Sequence, residues 1–209
     1  MNIILFSLFF LFSLFISIKD MRKYENIFCK YKYYLILSSI ILLIISAIFF
    51  NNTMTPTQMI VIALYPIGLS HFIIDLIDNE LPDISNLVIA VFGIINLIFL
   101  YLEGYTSVKE ISTYIYSGVI LFCIYFLLAI ITGGQMGGGD IKLIGGLGLF
   151  IPLRKILSLT VLPFFIGGVF ATVLLIKYYL IDKRKHKEKP KTMPFGPSII
   201  IAFIILIFS

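Results

Sequence analysis

Two short stretches of this chain carry residue types that could do chemistry together. The first reads His71-Phe72-Ile73-Ile74-Asp75-Leu76-Ile77-Asp78-Asn79-Glu80-Leu81-Pro82-Asp83, four acids with no basic residue among them. The second reads Thr132-Gly133-Gly134-Gln135-Met136-Gly137-Gly138-Gly139-Asp140-Ile141-Lys142-Leu143, a glycine-rich approach that ends on an acid. Asp75 closes one apolar run and Asp140 opens another. Ionisable groups at the edge of hydrocarbon are costly and usually mark function. Two carboxylates held close cannot both ionise easily, so one keeps a proton. Such a pair can divide the work of hydrolysis: the ionised member takes a proton from water while the protonated member polarises a carbonyl. No metal, serine or cysteine nucleophile is then needed. Glycines admit positive φ and let backbone or an extended peptide come close. The same acids would serve a proton- or ion-coupled transporter equally well. Glu80 and Asp83 also read as solvated turn residues, and the glycine run as a plain hinge.

Other chemistries find less support. No His-Glu-x-x-His occurs, which removes the zinc intramembrane proteases. Ser70 and Ser117 have no motif around them that would pair a nucleophile with a histidine. His71 stands one helical turn before Asp75 and would share its face. It either hydrogen-bonds the acid pair or is an ordinary satisfied core histidine. Cys29, in a polar loop, and Cys123, inside an apolar run, are too far apart to suggest a disulfide framework or a paired metal knuckle. The sequence therefore points to no metal and no cofactor.

The elements that must position these residues are membrane spans. Of the 209 residues, 60% are hydrophobic and only 13% are charged, with a mean hydropathy of +1.07. Charge is absent from Asn2–Ile18, Tyr33–Ala63, Ile84–Leu102 and Ile156–Ile176, and about 18 such residues suffice for a helix to cross a bilayer. Barrel strands would alternate polar and apolar residues, so the expected fold is an all-α polytopic bundle. Eight apolar segments are expected, at about 1–18, 33–50, 57–75, 84–102, 111–131, 141–152, 156–180 and 195–208. The sixth and eighth are short enough to be tilted, partial or re-entrant. The first segment has its basic cluster after the apolar run and no Ala-x-Ala-like site, so it reads as a retained span and not a signal peptide. No room remains for a separate soluble domain.

Charge sets the expected orientation. Lys19, Arg22, Lys23, Lys30 and Lys32 crowd the loop read between the first two segments. Lys183, Arg184, Lys185, Lys187, Lys189 and Lys191 crowd the one before the last, while Asn51–Thr57 has no Lys or Arg. Basic loops stay cytoplasmic, and eight alternating crossings put both on that side. Both acid-bearing junctions then face the cytoplasm and both termini lie outside. Arg154 and Lys155 run against this, falling on the outer face. The net charge of +5 follows this loop pattern and does not indicate nucleic acid as a partner.

The junctions resemble the bacterial type IV prepilin peptidases, membrane aspartyl proteases of the Gly-x-Gly-Asp type. The resemblance lies in Asp75 with Leu81-Pro82-Asp83, in Gly137-Gly138-Gly139-Asp140-Ile141-Lys142-Leu143, and in Pro194-Phe195-Gly196-Pro197, which stand in the family's order. It covers roughly residues 57–209, and implies one membrane-embedded peptidase domain over 1–209. Residues 1–56 would form its two-span N-terminal part and 57–209 its catalytic core. It implies that Asp75 and Asp140 are the catalytic pair and that Gly137 and Gly139 shape the loop carrying Asp140. Pro82, Asp83, Lys142, Pro194 and Gly196 would be supporting positions. The implied partners are the lipid bilayer of the plasma membrane and prepilin-like precursors, whose short basic leader is removed at the cytoplasmic face just before a hydrophobic helix. Longer members carry two Cys-x-x-Cys pairs between the first two spans, and many methylate the new N-terminus. Here Cys29 stands alone in that stretch, so cleavage without a zinc site and without methyl transfer is expected. A non-catalytic assembly component is the remaining rival. It would have no need to keep both aspartates.

Overall fold

The computed structural model describes residues 3–48, 54–134, 136–177, 179 and 194–209. The basic stretch 182–191, expected to be a cytoplasmic loop, lies outside them. The regular elements are helices: α1 (Ile3–Arg22), α2 (Glu25–Ile48), α3 (Pro56–Ala63), α4 (Tyr65–Asp78), α5 (Asp83–Leu102), α6 (Val108–Ile131), α7 (Gly138–Gly148), α8 (Ile156–Lys177) and α9 (Gly196–Phe208). The expected all-α membrane bundle is what the chain forms. Among the described residues five helices, α1, α2, α5, α6 and α8, are long and apolar enough to cross a bilayer, and α3 with α4 forms a pair bent by 49° that has the length of a sixth if taken as one span. The bend has a cause in sequence: Pro66 has no N–H for the carbonyl four residues back, so the helix restarts there. The sixth and eighth apolar segments are short, as expected. α7 has 11 residues and α9 has 13. At 1.5 Å per residue, α7 reaches about 16 Å, roughly half a hydrocarbon core of about 30 Å.

The chain ends of these helices gather at two opposite sides of the bundle. The α1–α2 turn (Lys23, Tyr24), the α4–α5 turn (Asn79 to Pro82) and the start of α7 (Gly137 to Asp140) line one cavity. Thr55, Tyr105, Pro152, Lys155 and Leu206 line another, and α9 separates the two, since Gly196 meets Asp75 while Leu206 meets Lys155. Helices α5, α7 and α9 therefore each run from the end with the first cavity toward the end with the second.

One expectation needs correction. The stretch Lys19–Lys32 is not a loop: α1 runs to Arg22 and α2 starts at Glu25, so Cys29 is helical. Hydropathy detects the apolar part of a helix, whereas Lys and Arg prolong helices beyond it and fold their stems over neighbouring rings. Arg22 and Lys32 both lie over Phe28. Lys155, out of place by charge, donates a hydrogen bond of 2.8 Å to the carbonyl of Leu206 in the last turn of α9. A cation there satisfies an orphan carbonyl and opposes the negative helix end.

α7 is buried between α5, α6 and α9, and small residues let it in. A Cβ on Gly148 would stand 2.7 Å from Gly118 Cα, and one on Gly118 would stand 3.0 Å from the carbonyl of Gly145. Without a hydrophobic drive between helices in lipid, such close backbone packing is the main source of their association. Gly148→Ala is expected to destabilise the protein by about 1–3 kcal/mol through overpacking. Gly168→Ala, with nothing within 4 Å of the new Cβ, should be neutral or slightly stabilising. Unfolding temperatures of the two variants in detergent test the contrast, and equal shifts would contradict this packing.

Candidate active site

Asp75 sits three residues before the end of α4, only 4% exposed. The helix stops just beyond it because Asn79 takes a left-handed conformation, φ 53° and ψ 38°, with its N–H still bonded to the Asp75 carbonyl. Asn tolerates that region better than most residues. From the other side α9 begins against the carboxyl. The Gly196 N–H donates to Asp75 Oδ2 at 2.8 Å. A Cβ on Gly196 would stand 3.0 Å from that same oxygen and 3.2 Å from Leu81 Cδ2, so a larger residue would lose the approach. Pro197 suits the first turn, where its missing N–H costs nothing. Phe195 packs on Phe164 and Tyr125, with centroids 5.2 and 6.3 Å apart, and this anchors the entry to the helix.

Asp140 lies in the first turn of α7, 8% exposed. An acid there faces unbonded N–H groups and the positive end of the helix. Its Oδ1 is buried with no hydrogen-bond partner among the described residues. Gly137 precedes the helix, and a Cβ on it would come 3.3 Å from Asp140 Oδ2. Gly139 rests on the α4–α5 turn, where a Cβ would stand 2.7 Å from that of Leu81. Leu81 thus touches both glycine stations, one beside each aspartate. Asp75 and Asp140 line the same cavity of about 340 Å³.

The remaining candidates fall around this cavity. Pro82 is buried and precedes α5, and Asp83 opens that helix. Asp83 is not a plain turn residue, because Lys142 Nζ pairs with its Oδ1 at 2.7 Å and ties α5 to α7. Glu80 accepts a 2.9 Å hydrogen bond from Tyr24 OH, joining the α1–α2 turn to the cavity rim. Burial and this carboxylate push the Tyr24 phenol above its ordinary range. Pro194 leads into Phe195 and makes no contact that explains it further. His71 touches neither aspartate and is a fully buried histidine with its own partners. Its Nδ1 is 2.9 Å from the Ile67 carbonyl and its Nε2 is 3.0 Å from Asn86 Oδ1. Ser70 and Ser117 bond the helix carbonyls of Ile67 and Thr113. Cys29 and Cys123 are both exposed and on different helices, so they do not form a cysteine metal site.

Two residues at the site escaped the sequence reading. Tyr24 carries no local signal. Asn86 does carry one, as a polar side chain at the start of an apolar span. It is 3% exposed and donates to the Gly139 carbonyl at 3.3 Å.

Comparisons with known proteins agree with this picture. Residues 62–172 match the profile of the type IV leader peptidase family. A prepilin leader peptidase/N-methyltransferase of Aeromonas salmonicida is 30% identical over 131 residues, which are 62% of this chain and 42% of that relative. One from Xanthomonas campestris pv. campestris is 30% identical over 91 residues, 43% of this chain and 29% of that relative. The chain thus spans well under half the length of the curated relatives it matches. No solved structure matches it significantly.

The Asp83–Lys142 pair is open to solvent, with side chains 72% and 52% exposed, and exposed pairs contribute little to stability. Lys142→Met should therefore lower unfolding stability by less than about 1 kcal/mol. Thermal melts in detergent check this, and a larger loss would show that the pair carries the α5–α7 contact.

Proposed function

The chain belongs to the type IV leader peptidase family, and on that footing we propose that it is an aspartic endopeptidase using Asp75 and Asp140 to cut the leader from prepilin-like precursors. The observation that carries this reading is the meeting of the two aspartates in one cavity, each with a glycine packed against its carboxyl, Gly196 at Asp75 and Gly137 at Asp140. In the proposed reaction a water sits between the carboxyls. The ionised carboxylate takes a proton from that water as its oxygen bonds to the scissile carbonyl carbon. The protonated carboxyl gives its proton to the carbonyl oxygen. The gem-diol then collapses: the second carboxylate takes back a hydroxyl proton as the carbonyl re-forms, the C–N bond breaks, and the leaving nitrogen takes the proton held by the first carboxylate. One proton is again shared by the pair. Which member starts ionised is not needed for the balance.

The cavity lies at the end of the bundle that holds the α1–α2 turn. Lys19, Arg22, Lys23, Lys30 and Lys32 cluster there, which supports a cytoplasmic opening under the positive-inside rule. We read the protein as cutting without methyl transfer. The two helices α1 and α2 are joined directly, and no cysteine-rich insertion separates them. A proton-coupled transporter is the second reading. It would want acids along a path reaching both ends, while Asp75 and Asp140 share one end.

The test is cleavage in membranes of a precursor with a short basic leader before an apolar helix, followed by size and by sequencing the new N-terminus. Asp75→Asn and Asp140→Asn should each lower the rate at least about 10²–10⁴-fold while remaining folded. Variants that cut like the parent would remove the dyad. Because one shared proton is required, the rate should fall at low pH, where both carboxyls are protonated, and at high pH, where both are ionised. Orientation is tested separately. In a Cys29→Ser/Cys123→Ser background, Glu80→Cys should react with an impermeant maleimide only when the cytoplasmic face is open to it. Labelling from the outer face would invert the topology.

A further inference from the structure

We propose that Asn86 is a positioning residue that sets the distance between the two aspartates through a buried His71–Asn86–Gly139 bridge. This deepens the peptidase reading and rests on it for its kinetic consequence. Three helices meet at one carboxamide. From α4, His71 Nε2 stands 3.0 Å from Asn86 Oδ1. From α7, the Gly139 carbonyl accepts from Asn86 Nδ2 at 3.3 Å. Asn86 itself belongs to the first turn of α5. The two ends of the bridge are next to the chemistry: His71 is one helical turn before Asp75, and Gly139 is the residue before Asp140.

The bridge is held from outside as well. The bridge takes the single N–H of a neutral imidazole at Nε2, and Nδ1, 2.9 Å from the Ile67 carbonyl, donates there only when the ring is doubly protonated. Ser85 Oγ stands 3.3 Å from Nε2 while also reaching the Pro82 carbonyl at 3.2 Å. Exposure is 0% for His71 and Ser85 and 3% for Asn86. Buried polar groups of this kind fix one geometry when satisfied, because an unpaired alternative is costly. An apolar residue of the same size at 86 would fill the space and leave α4 free to slide or turn against α7. Neither Asn86 nor His71 lines the cavity shared by the aspartates. Asn86 borders the separate groove between α5, α6 and α7, so KM separates positioning from contact with the peptide.

The experiment uses full-length protein in membranes and the precursor described above. Asn86→Leu should lower kcat by roughly 10²-fold, the cost of misplacing a reacting group by about 1 Å, with KM within about twofold of the parent. His71→Leu should do the same, and the double variant should be no slower than the worse single one, since both break one bridge. His71→Gln, which keeps a polar group toward Asn86, should recover part of the loss. Nitroxide labels at Asp78→Cys and Gly138→Cys, in the Cys29→Ser/Cys123→Ser background, give a readout free of catalysis. Their distance distribution should broaden in Asn86→Leu. An unchanged kcat, or a loss of activity that only follows loss of folded protein with an unchanged distribution, would overturn the proposal. If the parent cuts no precursor, the peptidase reading fails, and the distance distributions alone decide whether the bridge positions the acids.

Discussion

The site depends first on one backbone N–H. Asp75 is almost fully removed from water, and a carboxyl in such a place needs a replacement for its hydration. The start of α9 supplies it, with the Gly196 N–H at 2.8 Å from Oδ2 and the positive end of a helix behind it. This single contact dictates the local sequence. Gly196 must lack a side chain because its Cβ would crowd the carboxyl itself. Pro197 follows where a helix can do without an N–H, and Phe195, just before Gly196, packs against aromatic neighbours on α6 and α8. The whole of α9 is then aimed by the acid at its base, and its far end is closed by Lys155.

Asp140 meets the same constraint with the opposite arrangement. Here the acid belongs to the helix start, and the surrounding chain comes to it. That choice forces α7 to lie inside the bundle, because a helix end at this depth would expose unbonded amides to lipid. Burial in turn demands thin neighbours, and the glycines of α7 and α6 provide them. A short helix is sufficient under these conditions. It is held by α5 and α6 on both sides, and most of its residues are buried. The 11-residue length of α7 is therefore a consequence of the site, and hydropathy registers it only as a weak apolar segment.

The spans were legible because hydropathy is a local property, and a charge-free run of about 18 residues or more is what a bilayer crossing demands of a helix. Asp75 and Asp140 stood out as acids at the ends of apolar runs, but their sharing a cavity came from motif resemblance and not from periodicity. What stayed hidden was the part that depends on contacts remote in sequence. The helical character of Lys19–Lys32 is invisible to a scale that scores lysine as polar. Tyr24 reaches Glu80 across 56 positions, and nothing around either residue announces it. His71 was readable as a histidine on the Asp75 face. That its partner is Asn86 follows from how α5 packs, which no local pattern encodes. Asn86 could have been noticed, since an amide in an otherwise apolar span asks for a partner.

On the peptidase reading, the depth of the cavity has a physical meaning. A precursor with a charged leader and an apolar helix has a boundary between a part that must stay in water and a part that must stay in lipid. Its position in the membrane is fixed by that boundary before any enzyme contact is made. A cut at the boundary needs catalytic groups at the same depth, with water on one side and a packed bundle on the other. The cavity between the α1–α2 and α4–α5 turns and the start of α7 lies at an end of the bundle, as this requires. It is rimmed by exposed Glu80 and Asp83 and floored by buried Asp75 and Asp140. Glu80 at the rim suits a basic leader, while Lys23 in the same lining and the pairing of Asp83 with Lys142 temper that preference. Sorting by depth would then do much of the selection, leaving the glycine-lined floor to require only that the peptide be extended where it is cut.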